Sequence, residues 1–507
     1  MPERQGRLWR MHGGEDMVEF SKLGAAGLPG AAGLLAALIA VAAPHPLLAQ
    51  GRAEAKDMAL VGYDDLQARS AYQPSIHKQG ERWIAYIGHH GGSKEVPKPR
   101  NPLTGVDEFN GTSIVDVTDP RRPKYLFHIP GDQGLAEEGG AQMVRVCDGK
   151  SLPKGDANAV YMLRTFGNQA HEIWNTADPS SPKLVARLDG LKGTHKNWWE
   201  CDTGIAYLVS GVAGWRVARM TEVYDLSDPA HPVKIRDFGL PGQQPGAGGP
   251  VPTRLHGAIS TGAKGNRIYF GYGTNEGGVL QIVDRDKLLN GPKEPTDDNL
   301  TYPQVGRLDM SPLTGAHTTF PVLEMPVAEF AKDKVGKVRN FVVVTNEQIK
   351  NECEEARQFV WMVDVTVERY PASVATWGVP EASGGFCSRG GRFGTHASNE
   401  SSAPVYYKRL LFFSHFNAGV RAVDIRDPYH LKEVAHYIPA VTRNTDKRCI
   451  TLENGAERCK VAIQTNNVEV DERGYIYAVD RANTGMHILK LTGQARRIGN
   501  FAAAVQR

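Results

Sequence analysis

Short apolar segments that alternate with polar residues recur along the chain, and this pattern predicts β-strands. In the segment GTSIVDVTDPRRPKYL, which runs from Gly111 to Leu126, the residues IVDV alternate as in a half-buried strand. Asp119-Pro120 predicts a tight turn, because proline presets φ at the first corner of a turn, and KYLFHI then resumes the strand pattern. The segment therefore predicts an outer β-hairpin.

The same hairpin pattern returns through most of the chain. Clear copies begin at Glu172, Glu222 and Ala422, while weaker copies at Val279 and Phe359 keep the strand and lose the turn. In each copy a short apolar run is followed by an Asp or Asn. Steps of 50 to 80 residues separate these positions, which are Asp116, Asn175, Asp225, Asp284, Asp364 and Asp424. Such a step leaves room for about four short strands, the size of a propeller blade that carries loop insertions.

The strings SIVDVTDPRRP, EVYDLSDPAHP and AVDIRDP resemble the LVIVD-repeat proteins, a group of mostly extracytoplasmic bacterial β-propellers. The resemblance covers most of the chain after about Lys56. It implies a propeller fold and an extracytoplasmic location, but it brings no catalytic residue with it. Function therefore has to be argued from the residues that would meet at a site.

Seven units can be traced, and they predict an all-β fold. We expect residues 57–492 to form a single seven-bladed β-propeller and residues 493–507 to form a C-terminal tail. The segment MALVGY, from Met58 to Tyr63, has the pattern of a strand without a hairpin partner nearby. We expect it to supply the outer strand of the last blade and so to close the ring, because an open sheet edge would otherwise remain.

The first 49 residues have the pattern of a signal peptide. Ala31 to Ala43 form an apolar run of suitable length, too short to span a bilayer, and a small residue suited to cleavage, Ala49, follows. Met17 would make a more typical start for such a leader. These features predict a periplasmic or secreted protein with no stable membrane span after cleavage. An uncleaved membrane anchor is the alternative.

The composition is that of an ordinary soluble globular protein. Charged residues make up 23% of the chain and hydrophobic residues 41%, and the formal net charge is +3. This balance argues against a nucleic-acid-binding surface, so we expect no nucleic-acid partner. The 55 glycines and 31 prolines fit a chain in which many short strands need many turns.

The six cysteines predict disulfides, since an even number in an exported protein is usually paired. From their placement in the repeat we expect the pairs Cys449–Cys459, Cys147–Cys201 and Cys353–Cys387. Free buried thiols are the alternative. A metal site made of cysteines is disfavoured, because no C-x-x-C motif occurs.

Histidine dominates one position of the repeat. When the units are aligned on their innermost strands, this position holds His77, Gln142, His195, His256, His317, His396 and Asn467. In a propeller it should lie beside the central channel, so the side chains should converge. Imidazole is the commonest protein ligand of transition metals. The sequence therefore predicts an axial site for a divalent Fe, Cu, Zn or Mn ion, with the ligands His195, His256, His317 and His396.

Other polar residues are expected to support these ligands or to line the same pocket. Acidic residues follow three of the histidines and would accept the second ring N–H of a ligating imidazole; they are Glu200, Glu324 and Glu400. Loops after second strands should bring four more side chains to the same face, namely His89, His90, Glu347 and His415. With His77 they complete the predicted pocket.

Two classes of function fit this pattern. The first is a metal-dependent enzyme, an oxidoreductase, lyase or hydrolase, that acts on a small molecule in a histidine-lined axial pocket. The second is a non-catalytic propeller that binds a small-molecule ligand or a protein partner at its loop face, with structural histidines. Motifs of serine hydrolases, zinc-helix proteases, P-loop proteins and dinucleotide-binding domains do not occur.

Overall fold

Each clear copy of the hairpin pattern forms a turn that a side chain holds in place. After the third strand of the first repeat, the N–H of Thr118 donates to Oδ1 of Asp116 over 2.9 Å. The same bond, to the backbone N–H two residues on, forms at Asn175, Asp225, Asp364 and Asp424. Such a bond mimics a backbone turn. The Asp or Asn that follows the apolar run therefore fixes the outer corner of five of the seven blades.

The structure is a computed structural model that describes residues 51–328 and 337–502. Within these ranges, seven antiparallel sheets follow one another along the chain, and the predicted seven-bladed β-propeller is confirmed. The predicted signal peptide, residues 1–49, and the alternative start at Met17 lie outside the described residues.

The first five blades run in chain order from the channel outward. Blade 1 consists of Ala71–Gln79, Arg82–His90, Gly111–Asp116 and Lys124–Pro130, with Gly140–Ala141 added beside the second strand. Blade 2 consists of Val144–Asp148, Val160–Phe166, Ala170–Asn175 and Lys183–Leu188. Blade 3 consists of Asn197–Trp199, Ile205–Ser210, Met220–Asp225 and Val233–Phe238. Blade 4 consists of Leu255–Ser260, Arg267–Tyr272, Val279–Asp284 and Gln304–Asp309. Blade 5 consists of Thr318–Pro326, Val338–Thr345, Val360–Asp364 and Ala372–Trp377.

The last two blades take strands from the N-terminal part of the described chain. Blade 6 contains Leu410–Ser414, Val420–Asp424 and Lys432–Ile438, with Glu54–Lys56 on the outside and a single bridge at Ser398 on the inside. Blade 7 contains Thr465–Val470, Tyr475–Asp480 and Gly485–Leu491, and its outermost strand is Met58–Asp64. The propeller therefore begins before residue 57, because Glu54–Lys56 already belongs to a blade.

Short helices and one extra hairpin complete the described chain. The helices are Gly262–Gly265, Arg285–Asn290, Asp297–Thr301 and Gly493–Ile498, and the hairpin strands are Lys447–Thr451 and Glu457–Val461. Single 3-10 turns occur at Leu66–Ala68, Ala136–Glu138, Gly149–Ser151, Glu381–Ser383 and Phe386–Ser388. Gly493–Ile498 begins the predicted tail, and its buried Ala495 packs into the core between blades 6 and 7.

Apolar side chains from neighbouring sheets form the core between the blades. Ile87 and Val115 of blade 1 pack with Tyr477 and Ile488 of blade 7 in one buried cluster. The last blade therefore packs against the first, and this contact holds the ring together. Among the described residues, no helix has the length and apolar character needed to cross a membrane.

All three predicted disulfides are confirmed, and no described cysteine is free. Cys147–Cys201 joins the innermost strand of blade 2 to the residues just after that of blade 3. Cys449–Cys459 links the two strands of the extra hairpin, and Cys353–Cys387 links two loops that follow strands of blade 5.

Gly62 tests the packing of the N-terminal strand against blade 1. A side chain at this position would meet the backbone of Pro120, in the turn of the first blade. We expect Gly62→Val to lower the free energy of unfolding by about 1–3 kcal/mol, because backbone cannot move aside as a flexible side chain can. Leu60→Val, at an exposed position of the same strand, is the control. Denaturant unfolding measures both, and equal stability of the two variants would contradict the prediction.

Candidate functional site

In blades 1, 4 and 7, the innermost strand directs a side chain into the channel at a point where its register with the second strand shifts. In blade 4, the neighbours of His256 pair with Tyr272 and Gly271, so His256 is an extra residue without a partner in the ladder. Asn466 is the extra residue of blade 7. A bulge of this kind re-aims a side chain. In these blades the backbone thus turns one residue away from the sheet and toward the axis.

Seven residues occupy this position, and five of them were predicted from the sequence. They are Tyr72, Gln142, His195, His256, His317, His396 and Asn466. His77 and Asn467 were predicted wrongly. His77 lies five residues beyond Tyr72, roughly 17 Å along an extended strand, where its Nε2 contacts Oδ1 of Asp148 at 3.0 Å. The bulges shift the register, and an alignment on histidines does not reveal that shift.

The four imidazoles form a continuous arc. Ring centroids lie 4.6 Å apart for His195 and His256, 3.7 Å for His256 and His317, and 4.3 Å for His317 and His396. Tyr72 continues the arc, with its hydroxyl 3.2 Å from Nε2 of His195 and its ring centroid 5.8 Å from that of His396. All five side chains are buried. The predicted convergence of the histidines is therefore present.

Bonds to the next blade set the proton positions of two rings. Nδ1 of His256 donates to the carbonyl oxygen of His317 over 3.1 Å, and Nδ1 of His396 donates to the carbonyl oxygen of Asn466 over 2.5 Å. A carbonyl oxygen can only accept, so each Nδ1 carries the proton. Nε2 of both neutral rings then presents a lone pair to the channel.

The Nε2 atoms gather around the carboxylate of Glu347. Oε2 of Glu347 lies 4.0 Å from Nε2 of His256 and 3.9 Å from Nε2 of His317, and Oε1 lies 3.6 Å from Nε2 of His396. Nε2 of His195 and of His256 are 2.9 Å apart, a distance at which two ring nitrogens share a proton or bind one cation. Among the described residues, Nε2 of His317 and of His396 are buried without a hydrogen-bond partner.

Burial keeps the four imidazoles neutral. Loss of water lowers the pKa of His195, His256, His317 and His396 well below the usual value, and neighbouring positive charges such as Arg219 and Lys196 lower it further. Burial also raises the pKa of Glu347, although Arg392 and Arg481 act against that rise. Neutral imidazoles are the form that binds metal ions.

A cavity of about 270 Å³ opens above the arc. Besides three of the histidines, its walls include Tyr72, Glu137, Arg219, Arg254 and Arg392. Arg392 donates to Oε1 of Glu347 over 3.0 Å, and thereby holds the carboxylate over the rings. The cavity therefore combines aromatic and imidazole rings with several guanidinium groups.

Polar groups close the channel on the other side of the arc. Nζ of Lys196 donates to Oε1 of Glu400 over 2.9 Å, and Arg145 pairs with the second oxygen of the same carboxylate. Glu469 accepts from the backbone N–H of Glu400, and burial raises its pKa to about 7. Glu400 therefore lies near the arc, but it holds cations in the channel and does not orient an imidazole.

Several predicted pocket residues lie elsewhere, and the reasons differ. Glu200 bonds Arg285, Ser260 and Tyr207 between blades 3 and 4. Glu324 is exposed on the long inner strand of blade 5.

Two of the predicted loop histidines also pack away from the cavity. Nε2 of His89 contacts Oγ of Ser113 at 2.8 Å, and the ring of His415 packs 5.0 Å from that of Phe393. His90 and Glu347 do adjoin the cavity. The ring centroid of His90 lies 4.9 Å from that of Tyr72.

Sequence reasoning missed Tyr72, Glu137, Arg219, Arg254 and Arg392. Each comes from a position that differs between blades or from a loop, so the repeat carries no signal for them. Glu137 lies in the 3-10 turn Ala136–Glu138, where it faces His90 and Arg481 at 3.3 Å and 2.6 Å. Tyr72 occupies the histidine position of the first blade, but the bulge there shifts the count of residues, so spacing does not reveal it.

No protein-family model matches the chain, and no curated protein matches it in sequence. The resemblance to LVIVD-repeat proteins therefore stays a prediction. Among solved structures, the β-propeller domain of Cps50 (Swd1) from Myceliophteria thermophila is 9% identical, with a TM-score of 0.46, over 87% of this chain and 100% of that chain. Sqt1 from Chaetomium thermophilum is 10% identical, with a TM-score of 0.44, over 86% and 98%.

The lowered pKa of His195 predicts a pH-dependent stability. Below about pH 6.5 the unfolded chain protonates this histidine and the folded chain does not, so the free energy of unfolding falls as the pH falls. From about pH 7.5 to 5.5, metal-free His195→Gln should lose about 1.4 kcal/mol less than the wild type. Equal losses for the two proteins, measured by urea unfolding, would contradict a lowered pKa of His195.

Proposed function

We propose that the protein is a metal-dependent enzyme that binds a divalent transition metal at the axial histidines and acts on a small molecule in the cavity above them. The observation that carries this proposal is the set of buried Nε2 atoms without partners. A buried polar atom that lacks a partner costs about 1–3 kcal/mol. Two such atoms, on His317 and His396, lie in one arc with the lone pair of His256, and a cation would satisfy all three.

The donor set suits a transition metal. Ligand atoms of His256, His317 and Glu347 lie within 4.8 Å of one another. Bonds of about 2.0–2.2 Å to one ion place adjacent ligand atoms roughly 3–3.5 Å apart, so small side-chain shifts would suffice. His195 and His396 flank this group and extend it toward the predicted four-histidine site. Fe, Cu, Zn and Mn are all compatible with imidazole and carboxylate ligands.

Two histidines and a carboxylate leave coordination positions open, as in catalytic zinc sites and non-haem iron oxygenases. An ion held there would supply a Lewis acid for a water, an oxygen molecule or a substrate oxygen. Oxidoreductase, lyase and hydrolase chemistry therefore all remain within the proposal.

The protein's own side chains add positioning and proton donors. Burial raises the pKa of Tyr72 well above its usual value, so its hydroxyl stays protonated beside His195 and can donate a hydrogen bond. Arg392 fixes the carboxylate of Glu347, and the bonds of His256 and His396 to the next blade fix their rings. A rigid constellation of this kind favours catalysis because little reorganisation is needed at the reacting centre.

The second candidate is a non-catalytic binding propeller. The observation that favours it is the bond from Nδ1 of His256 to the backbone of blade 5, with its counterpart from His396 to blade 7. These bonds would give His256 and His396 a structural role that needs no metal. They leave Nε2 of His317 and of His396 unexplained, and for that reason we place the metal-dependent function first.

We also propose export to the periplasm or the medium. Three disulfides close within one chain, and disulfides persist in oxidising compartments. The apolar leader of the sequence and the resemblance to extracytoplasmic LVIVD-repeat proteins point the same way.

Elemental analysis of the untagged protein, purified without chelator, tests the metal site. We expect about one equivalent of Fe, Cu, Zn or Mn in the wild type, and at least a tenfold weaker metal affinity in His256→Ala and in Glu347→Gln, because each removes a ligand atom. Glu347→Gln conserves side-chain shape, so it also serves where His256→Ala folds poorly.

His231→Ala is the matched control, because this histidine lies in an exposed turn and is not one of the channel histidines. It should keep the wild-type metal content. Metal content well below one equivalent in the wild type, not restored by titration with any of the four metals, would rule out the metal-dependent function and leave the binding propeller.

A further inference from the structure

Four arginines surround the cavity above the histidine arc. Arg219, Arg254 and Arg392 line it, and Arg481 adjoins it through Glu137, with its Nη2 2.6 Å from that carboxylate. Two carboxylates, Glu137 and Glu347, face these four guanidinium groups, and the imidazoles are neutral. The mouth of the cavity therefore carries two more positive than negative charges.

The four arginines divide into two pairs. Arg392 and Arg481 each contact a carboxylate, at 3.0 Å to Glu347 and 2.6 Å to Glu137. Arg219 donates only its Nε, to the carbonyl of Gly193 over 3.0 Å, and among the described residues its terminal nitrogens have no hydrogen-bond partner. Arg254 makes no side-chain hydrogen bond or ion pair within the described chain. Within the described residues, neither of these two guanidinium groups contacts a carboxylate.

A backbone hydrogen bond keeps Arg219 and Arg254 next to each other. The N–H of Leu255 donates to the carbonyl of Arg219 over 3.0 Å, which fixes the start of the innermost strand of blade 4 beside the third strand of blade 3. Arg254 directly precedes that strand. Burial lowers the pKa of Arg219, the negative charge of Glu137 opposes this, and the like charge of Arg254 lowers the pKa further. If the two arginines had only a structural role, separating their charges would make the folded state more stable.

Arg219 also lies close to the catalytic candidates. Arg219 lines the same cavity as His195 and His256, and its charge contributes to the lowered pKa of both rings. An anion held by Arg219 would therefore lie next to the histidine arc. The cavity measures about 270 Å³, slightly below the range of pockets for drug-sized ligands, so the molecule that fills it must be small.

We infer that the cavity binds a small molecule through an oxyanion group, a carboxylate or a phosphate, which Arg219 and Arg254 hold while the rest of the molecule lies over His195 and His256. This inference rests on the proposed function and names its substrate class. Guanidinium groups bind both kinds of oxyanion with two parallel hydrogen bonds, which fixes the orientation of the bound group. Arg392 and Arg481 are not used, because Glu347 and Glu137 already neutralise them.

Binding of inorganic phosphate and of malonate to the full chain tests this inference. Titration calorimetry at constant ionic strength, with chloride as the reference anion, compares the wild type with Arg219→Gln and Arg254→Gln. Each substitution should weaken binding about tenfold or more, because it removes charge-assisted hydrogen bonds. Arg219→Lys keeps the charge and loses the bidentate geometry, so its affinity for the anions should lie between those of the wild type and Arg219→Gln.

Arg121→Gln is the control for net charge, since Arg121 lies exposed in the turn of blade 1. It should bind both anions as the wild type does. Tighter binding of phosphate than of malonate would identify a phosphate group in the substrate, and the reverse a carboxylate. Anion binding no tighter than that of chloride, or unchanged in both Gln variants, would overturn the inference.

Metal content separates this inference from the proposed function. Arg219→Gln and Arg254→Gln should keep the wild-type metal stoichiometry, because neither residue lies among the ligand atoms. A protein that binds metal but no oxyanion would retain the metal-dependent function and lose the substrate class. A protein that binds oxyanions at the two arginines without any metal would retain the anion site and lose the enzyme.

Discussion

The site depends on hydrogen bonds that run from an imidazole of one blade to the backbone of the next. The bond from His256 to the carbonyl of His317, and the bond from His396 to the carbonyl of Asn466, join neighbouring blades where they meet at the channel. They satisfy buried polar groups that would otherwise destabilise the fold, and they assign the ring protons at the same time. Because the same bonds serve packing and chemistry, the arrangement of the blades decides where the Nε2 lone pairs point.

The charges around the arc follow from that arrangement. Neutral rings leave the positive charge of the pocket to its arginines, and buried carboxylates are stable only next to such cations. Glu347 meets this need through Arg392, and Glu400 meets it through Lys196 on the other side of the rings. The arc is therefore enclosed between two charged layers. Among the described residues of these layers, only the layer at the cavity has guanidinium groups that contact no carboxylate.

The sequence predicted the fold and the centre of the site for different reasons. The fold follows from a local feature, the side chain of Asp116 and its counterparts that bond the backbone two residues on, and local features are visible in sequence. The four histidines were found because the same residue type recurs. Tyr72 and Asn466 were missed because a bulge adds a residue that spacing does not show.

Strand geometry explains the acidic residues that were placed wrongly. Glu200 lies five residues beyond His195, which is roughly 17 Å along an extended chain, so it reaches a different layer of the propeller. Glu347 was placed correctly because a loop that follows a second strand returns to the face of the channel. Arg219, Arg254 and Arg392 could not be predicted, since they start from loops whose course depends on the packing of two blades.

The arc is asymmetric, and the asymmetry has a consequence for any bound molecule. Histidines come from blades 3 to 6, whereas blades 1, 2 and 7 supply Tyr72, Gln142 and Asn466. Glu347 follows a strand of blade 5, so its carboxylate stands over the histidine side of the channel. A ligand held by these nitrogens and this carboxylate lies to one side of the axis.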